Sequence, residues 1–466
     1  MRMRTTVALL VFALLVPAGV FGEPPAAGDA DPAVPSSVSF FDAVRHALSR
    51  SREGRIADRD VRVAKEGRAG AGAARFPRID ASSDYTALSE LPAVIIQGRE
   101  TQTMDRSVLR ARLTADQTIY DFGKTGARVS RAEARVDAAA SRAFLARERA
   151  AFEVISAFLS ARRAEQLRKV AEESLAAGRE HRKVAGDLYD LGVVARNDVL
   201  AADVQVANEE AALIGAENRV ELARSRLALR MGFSGKEAVA PEPGDFPVPG
   251  GPLPPLPESL RVGMENRLEL KAQGAFIREG EAGVSAARAE FAPTIFGQGG
   301  YSYETNDFNP NPSVFSLLVG GRINLFSGFS DEAARREALE TVERRKEELA
   351  LLRDEIALSV KRAHLSVIEA EKRRAVAGVA VDRAEENLRI QNDRYREGLS
   401  ISTEILDAQT LLTRAKVDLS NATFDLFESR YRLLLERGEL LAFLDPLLGA
   451  AKGEDTAAPE APGKGR

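Results

Sequence analysis

The segment Asp187-Leu-Tyr189-Asp-Leu-Gly192-Val-Val-Ala-Arg-Asn-Asp198-Val-Leu200 returns later in the chain as Asp393-Arg-Tyr395-Arg-Glu-Gly398-Leu-Ser-Ile-Ser-Thr-Glu404-Ile-Leu406. The offset is constant: Tyr189 to Tyr395, Gly192 to Gly398 and Leu200 to Leu406 are all 206 positions apart. Each copy ends a long helical pattern at a Tyr-x-x-Gly break, turns over small or polar residues, and enters a second helix. The chain reads as a tandem duplication in which these turns are the matched tips of two helical hairpins.

Outward from the tips, residues 120–232 align with 326–438 without a gap, with Ser160/Ser366, Glu165/Glu371, Arg168/Arg374, Arg226/Arg432 and Leu229/Leu435 in register. The first helical pattern runs from about Gly126 to Asp190 without a proline, on the order of 100 Å at ~1.5 Å per residue. Its seam is Ala143, Ala150, Val154, Ala157, Ala161 and Ala164, spaced in threes, fours and sevens like a coiled coil. The second pattern, from about Asp331 to Arg396, carries Leu349, Ile356, Val360, Ala363, Val367 and Ala370. A shorter helix follows the first tip, from Asp198 to about Met231.

Before each long helix the period changes from 3.6 to 2. Pro77 and Pro293 stop the helices expected at Phe40–Gly72 and Ser259–Glu290, and β-hairpins are predicted at 77–122 and 293–328. In the first, Ile79, Ala81, Tyr85 and Ala87 alternate with Arg78, Asp80, Asp84 and Thr86. After a loop around Leu91–Asp105, Leu109, Ala111, Leu113, Ala115 and Ile119 oppose Arg110, Arg112, Thr114, Asp116 and Thr118. In the second hairpin Phe315, Leu317, Val319, Ile323 and Leu325 oppose Ser316, Arg322 and Asn324, with Leu318 a misfit. A hairpin on a soluble core would alternate too. Arginines Arg110, Arg112 and Arg322 opposite a continuous apolar face fit a membrane barrel with a wet lumen at least as well.

The remaining segments are assigned by composition. Arg2 and Arg4 before the apolar run Val7–Val20 mark residues 1–22 as a signal peptide cleaved before Glu23, a short N-terminal anchor being the alternative. Residues 23–38 form a linker, 39–236 the first repeat with its tip near 190–198, and 237–258 a Pro-rich connector. Residues 259–445 form the second repeat with its tip near 396–404, and 446–466 a disordered tail. A net charge of −4 and no basic stripe argue against nucleic acid, and the absence of Cys excludes thiol chemistry. His46, His181 and His364 show no ligand spacing, and His181 and His364 read as helix-surface residues; neither a catalytic constellation nor a cofactor or metal site is expected.

Each chain thus supplies four strands, too few to close a cylinder, so closure in a bilayer must come from other chains. From Phe40 to about Leu444 the chain resembles the TolC family of outer-membrane efflux channels. The resemblance rests on the duplication, the strand starts Phe76-Pro77 and Ala292-Pro293, and the turns Ile119-Tyr-Asp-Phe-Gly123 and Asn324-Leu-Phe-Ser-Gly328. Most specific is the tip Tyr395-Arg-Glu-Gly398 with Glu404-Ile-Leu-Asp407-Ala408.

The resemblance implies a homotrimer in the outer membrane of a Gram-negative bacterium, mainly α-helical, with a twelve-stranded β-barrel continued by a twelve-helix tunnel in the periplasm. It implies no enzymatic activity, and as partners outer-membrane lipid, a periplasmic adaptor and an inner-membrane pump, in efflux or type I secretion. Glu404 and Asp407 match acidic residues that ring the pore constriction, ordinary solvated carboxylates being the alternative. Asp198 and Tyr395 match a gate latch. Ser400 stands where the best-known members carry an Arg, which implies a weaker or differently built latch with Arg196 as a substitute candidate. Gly192, Val193, Val194, Gly398, Leu399 and Ser400 would face the adaptor. A periplasmic coiled-coil adaptor or scaffold is the alternative from another class, and would show one hairpin flanked by small β domains.

Overall fold

The computed structural model describes residues 34–234, 236–244 and 246–454. The expected signal peptide, most of the linker and residues 455–466 lie outside them, and the fold described is that of the body from Ser36 onward. In chain order its helices are α1 (Phe40–Arg50), α2 (Arg52–Ala73), α3 (Lys124–Asp190), α4 (Arg196–Arg230), α5 (Leu256–Asn266), α6 (Leu268–Ala289), α7 (Ser330–Arg396), α8 (Ser402–Glu436) and α9 (Leu440–Glu454). Both α3 and α7 have 67 residues, so each is about 100 Å long. No described helix is both long and apolar enough to cross a membrane.

The seam lies where the small residues placed it. Ala150, Val154, Ala157, Ala161 and Ala164 are buried on α3, as are Ile356, Val360, Ala363, Val367 and Ala370 on α7, while Leu349 is half-buried. Within each repeat the long helix packs on the helix after its tip, α3 on α4 and α7 on α8. Helix α3 also packs on α6 and α8 of the second repeat. A polar ladder descends this α3–α8 contact: Ser156 donates to Glu428 (3.2 Å), Arg163 to Asp425 (2.7 Å), Ser174 and Thr413 share a hydroxyl bond (2.9 Å), and His181 meets Ser402 (2.8 Å). The duplication also repeats an ion pair, Arg224–Glu165 at 2.9 Å and Arg430–Glu371 at 2.7 Å.

Two single helices expected from the sequence are each broken in two. The breaks fall at Ser51, whose Oγ accepts from Gly54 N–H at 3.0 Å, and at Arg267, which pairs with Glu269 (2.7 Å) and Glu436 (2.5 Å). Neither has a Pro or Gly to mark it. The cause is tertiary: Gly232 (φ 93°) lies so close to Arg50 that an added Cβ would sit 2.6 Å from its carbonyl oxygen, and Gly438 (φ 66°) packs the same way on Asn266. Only glycine combines that left-handed conformation with that approach.

The linker and tail boundaries also shift. The strand β1 (Ser37–Val38) pairs in parallel with β6 (Ala240–Pro241) of the Pro-rich connector, and α9 continues past residue 446 to Glu454 because Leu440 and Leu444 are fully buried. The connector is held by side chains of α8: the Tyr431 hydroxyl donates to Pro247 O, and Arg430 to Pro249 O.

The β-strands β2 (Arg78–Ala87), β5 (Ser107–Tyr120), β7 (Thr294–Glu304) and β8 (Ser313–Arg322) form one antiparallel sheet in that order. The loop expected at 91–105 contains a small hairpin, β3 (Ala93–Ile96) and β4 (Arg99–Gln102), which turns through Gln97 and Gly98 at positive φ. Buried Asn306 ties it to the second hairpin's turn, accepting from Asp105 N–H at 3.2 Å and donating to Thr103 O at 3.4 Å.

At the break in α5–α6 the buried Glu148 faces Glu269 and Glu436 with Arg267 the one cation. Burial first, then the two carboxylates, raise its pKa from 4.5 to about 7. A carboxyl raised in the folded state stabilises fully below its unfolded pKa and loses that contribution as pH rises through about 7. Glu148→Gln should therefore raise the unfolding temperature relative to wild type at about pH 8 and lose that advantage near pH 4. A difference independent of pH in thermal melts would contradict the assignment.

Candidate functional site

The sheet presents two unlike faces, and no helix packs extensively on either among the described residues. Register places Ile79 beside Ala115, Ala81 beside Leu113 and Tyr85 beside Leu109, and continues through Leu113–Tyr301 to Tyr301–Phe315. This apolar face is bare: Ile79, Tyr85, Phe315, Leu317 and Val319 are 65–76% exposed. A soluble fold does not leave such a face to water.

The opposite face is charged. Arg110 reaches Glu304 (3.3 Å) and Asp84 (3.9 Å), Gln298 donates to Asp116 (2.7 Å), and Arg322 lies 5.4 Å from the Phe296 ring centroid. Arg112 has no carboxylate within ion-pair distance among the described residues. Leu318 belongs to this polar face, paired with Gln298, so the sequence misfit is a real apolar side chain among charges. Strands of 10–14 residues match a hydrocarbon core.

At the other end, both long helices stop in the same way. Gly192 (φ 72°) and Gly398 (φ 74°) take the left-handed conformation after the last turn. Val193 N–H then donates to Leu188 O and Leu399 N–H to Arg394 O, while each glycine N–H bonds back to its tyrosine carbonyl. This is the Schellman closure, and it explains the Tyr-x-x-Gly signal.

The two tips nevertheless differ. Tyr189 is 43% exposed, whereas Tyr395 is 2% exposed with its ring 5.3 Å from that of His181. His181 Nε2 shares a hydrogen bond with Ser402 Oγ, which is fully buried. Burial, and then the negative charge of Asp198, hold the Tyr395 pKa above its ordinary value. Burial lowers that of His181 against a weaker opposing pull from Asp198. The structure thus brings Asp198 and Tyr395 into one neighbourhood. His181 and His364, read from the sequence as surface residues, are both buried. For His181 the signal was present, since it continues the seam three residues after Gly178 and four before Ala185, both buried.

Glu404 and Asp407 are exposed on α8, while Ile405, Ala408 and Gln409 of the same helix are buried. Ser400 Oγ donates to Glu404 at 2.6 Å, and Arg394 Nη1 lies 3.8 Å from the same carboxylate. Asp407 and Arg196 have no ion pair among the described residues. Val194 and Ser400 are half-buried, while Gly192, Val193, Gly398 and Leu399 are exposed at the extreme ends of the hairpins. Among the described residues no group of three His, Cys, Asp or Glu side chains is placed to hold a metal.

A bare apolar sheet feeding ~100 Å helical hairpins defines an outer-membrane channel protein with a periplasmic extension. The chain belongs to the outer membrane efflux protein family, whose model matches residues 43–232 and 263–435. It is 23% identical over 410 residues to the outer membrane efflux protein BepC of Brucella suis, covering 85% of this chain and 83% of that one. Its fold is that of the outer-membrane channel OprN (TM-score 0.73, 20% identity, 86% of this chain and 89% of that chain). VceC of Vibrio cholerae is similar as well (TM-score 0.70, 18% identity, 86% and 96%). The protein is an exit channel of the Gram-negative outer membrane, and a transport protein rather than an enzyme.

The two faces make opposite predictions for neighbouring residues. Leu317→Arg, on the apolar face, should destabilise the membrane-assembled protein by about 2–4 kcal/mol. Leu318→Arg, on the polar face, should be tolerated. Urea unfolding in lipid vesicles reads the difference, and equal effects would contradict the assignment of faces.

Proposed function

We propose that three copies of the chain close a twelve-stranded barrel in the outer membrane and a twelve-helix tunnel in the periplasm. That duct conducts cargo passively from an inner-membrane pump through a periplasmic adaptor, in tripartite efflux or type I secretion. The observation that carries this reading is the sheet itself, with two bare faces and with β2 and β8 each left with one unpaired edge. In hydrocarbon an unpaired backbone group costs several kcal/mol, so β8 of one chain must find β2 of another.

In this assembly Arg110, Arg112 and Arg322 line the lumen. Asp198 and Tyr395 latch the periplasmic end, with Ser400 bound to Glu404 in place of the missing arginine. Arg394, already 3.8 Å from Glu404, is a better-placed cation than exposed Arg196. Gly192, Val193, Val194, Gly398, Leu399 and Ser400 form the surface offered to the adaptor. Residues 1–22 serve as the export signal.

Outer-membrane fractions should contain a heat-resistant trimer on gels run without boiling; a soluble monomer would sink the reading. Glu404 and Asp407 would stack two rings of negative charge in the constriction, favouring cations. Glu404→Ala with Asp407→Ala should lower the cation-to-anion permeability ratio in planar bilayers several-fold, and an unchanged ratio would remove both from the pore lining.

A further inference from the structure

His181 is the one histidine buried between the two hairpins at the tips, where Tyr395 and, one turn further up beside Gly178 and Gln409, the α4 carboxylate Glu209 are also buried. Its ring lies on α3 of the first repeat, while both of its partners, Tyr395 at the end of α7 and Ser402 at the start of α8, belong to the second. It is 6% exposed, Ser402 is fully buried, and the Tyr395 hydroxyl has no hydrogen-bond partner among the described residues. The position has no counterpart in the duplication: 206 residues on stands Asn387, and Ser402 corresponds to exposed Arg196. The feature that makes the tips unequal is therefore built around this imidazole.

We propose that His181 is a positioning residue that holds the second tip against the first while it is neutral and releases it when protonated, making closure of the periplasmic end acid-sensitive. The inference rests on the reading of these tips as the closed end of the channel. Neutral His181 can share one proton with Ser402 and pack, tilted by 56°, against the Tyr395 ring. An imidazolium in the same place would be a buried cation.

The groups that face it are few. Asp198 on α4 is the one carboxylate that favours the cation, and it is half-exposed. From α7 come the Tyr395 phenol and Arg396, from its own helix Glu180, and from α8 only the uncharged Ser402, Ile405 and Gln409. A cavity of about 140 Å³ lined by Glu180, Asn392, Arg396 and Gln409 adjoins the ring and gives protons a path.

Burial lowers the imidazole pKa from 6.5. The packed tip is then fully stabilised above that value and loses the contribution as pH falls through the lowered one. Tyr395, raised from its ordinary value, stays neutral throughout.

The chain has no cysteine, so Lys183→Cys and Thr403→Cys, both at exposed positions, place spin labels on α3 and α8 without background. In the assembled protein in lipid, the distance between labels should lengthen and broaden as pH falls from about 7.5 to about 5, and conductance in planar bilayers should rise roughly fivefold. His181→Gln, which keeps a hydrogen bond to Ser402 but cannot titrate, should abolish both changes, and His181→Phe should do the same through its ring packing on Tyr395. An acid response that survives in either folded variant, or a wild-type distance that does not change with pH, overturns the proposal. Acid-dependent label motion in a protein that conducts nothing at any pH supports the switch and overturns the channel reading instead.

Discussion

The backbone groups along the outer edges of β2 and β8 are the constraint on which the rest of the molecule depends. Each of these ten-residue strands turns the N–H and C=O groups of alternate residues toward a neighbour that this chain does not contain. Water could satisfy them, but the apolar face puts the same strands in hydrocarbon, where water is absent. The sheet is therefore stable only in an assembly, and stability cannot be separated from association.

That constraint reaches into the helices. Tilted strands in a closed barrel occupy roughly 6 Å of circumference each, while helices with ordinary side chains need 8–10 Å. Every strand of the sheet is directly joined to a helix, α2 to β2, β5 to α3, α6 to β7 and β8 to α7. In the proposed barrel the helical wall would then pack near its lower limit of spacing. The alanines of α3 meet that demand, and the pairing of α2 on α3 and α6 on α7 eases it.

What the sequence made legible follows from how local each cause is. Alternation from Leu109 to Ile119 and the stops at Pro77 and Pro293 are local, and the strands fall there. The Tyr-x-x-Gly tips are local too, because the left-handed glycine closes the helix on its own carbonyls. The breaks at Ser51 and Arg267 were not legible, since they are imposed by Gly232 and Gly438 from 181 and 171 residues away (232 − 51 and 438 − 267). The helix past residue 446 was hidden by a proline and small residues, although Leu440 and Leu444 anchor it. At the tips, the three-residue spacing of Glu404 and Asp407 places them on one side of α8, while their assignment to the pore is what the family resemblance implies. The burial of His181 required extending the alanine seam to a residue type that usually lies outside it.

Alanine seams carry a hidden difficulty. They permit close approach, but along 100 Å one alanine is much like the next, and a helix could slide by a turn without losing many contacts. The ladder from Ser156–Glu428 through Arg163–Asp425 and Ser174–Thr413 to His181–Ser402 removes that freedom. A one-turn shift of about 5.4 Å would strand every one of these polar groups, the last pair in buried surroundings where an unmade hydrogen bond costs about 1–3 kcal/mol. Register is thus fixed by polar groups and distance by apolar ones. The last rung contains the ladder's one histidine, the side chain type whose unperturbed charge change falls nearest neutral pH. A tip held in register by an imidazole and a serine can be released without disturbing the rungs above it, which contain no histidine.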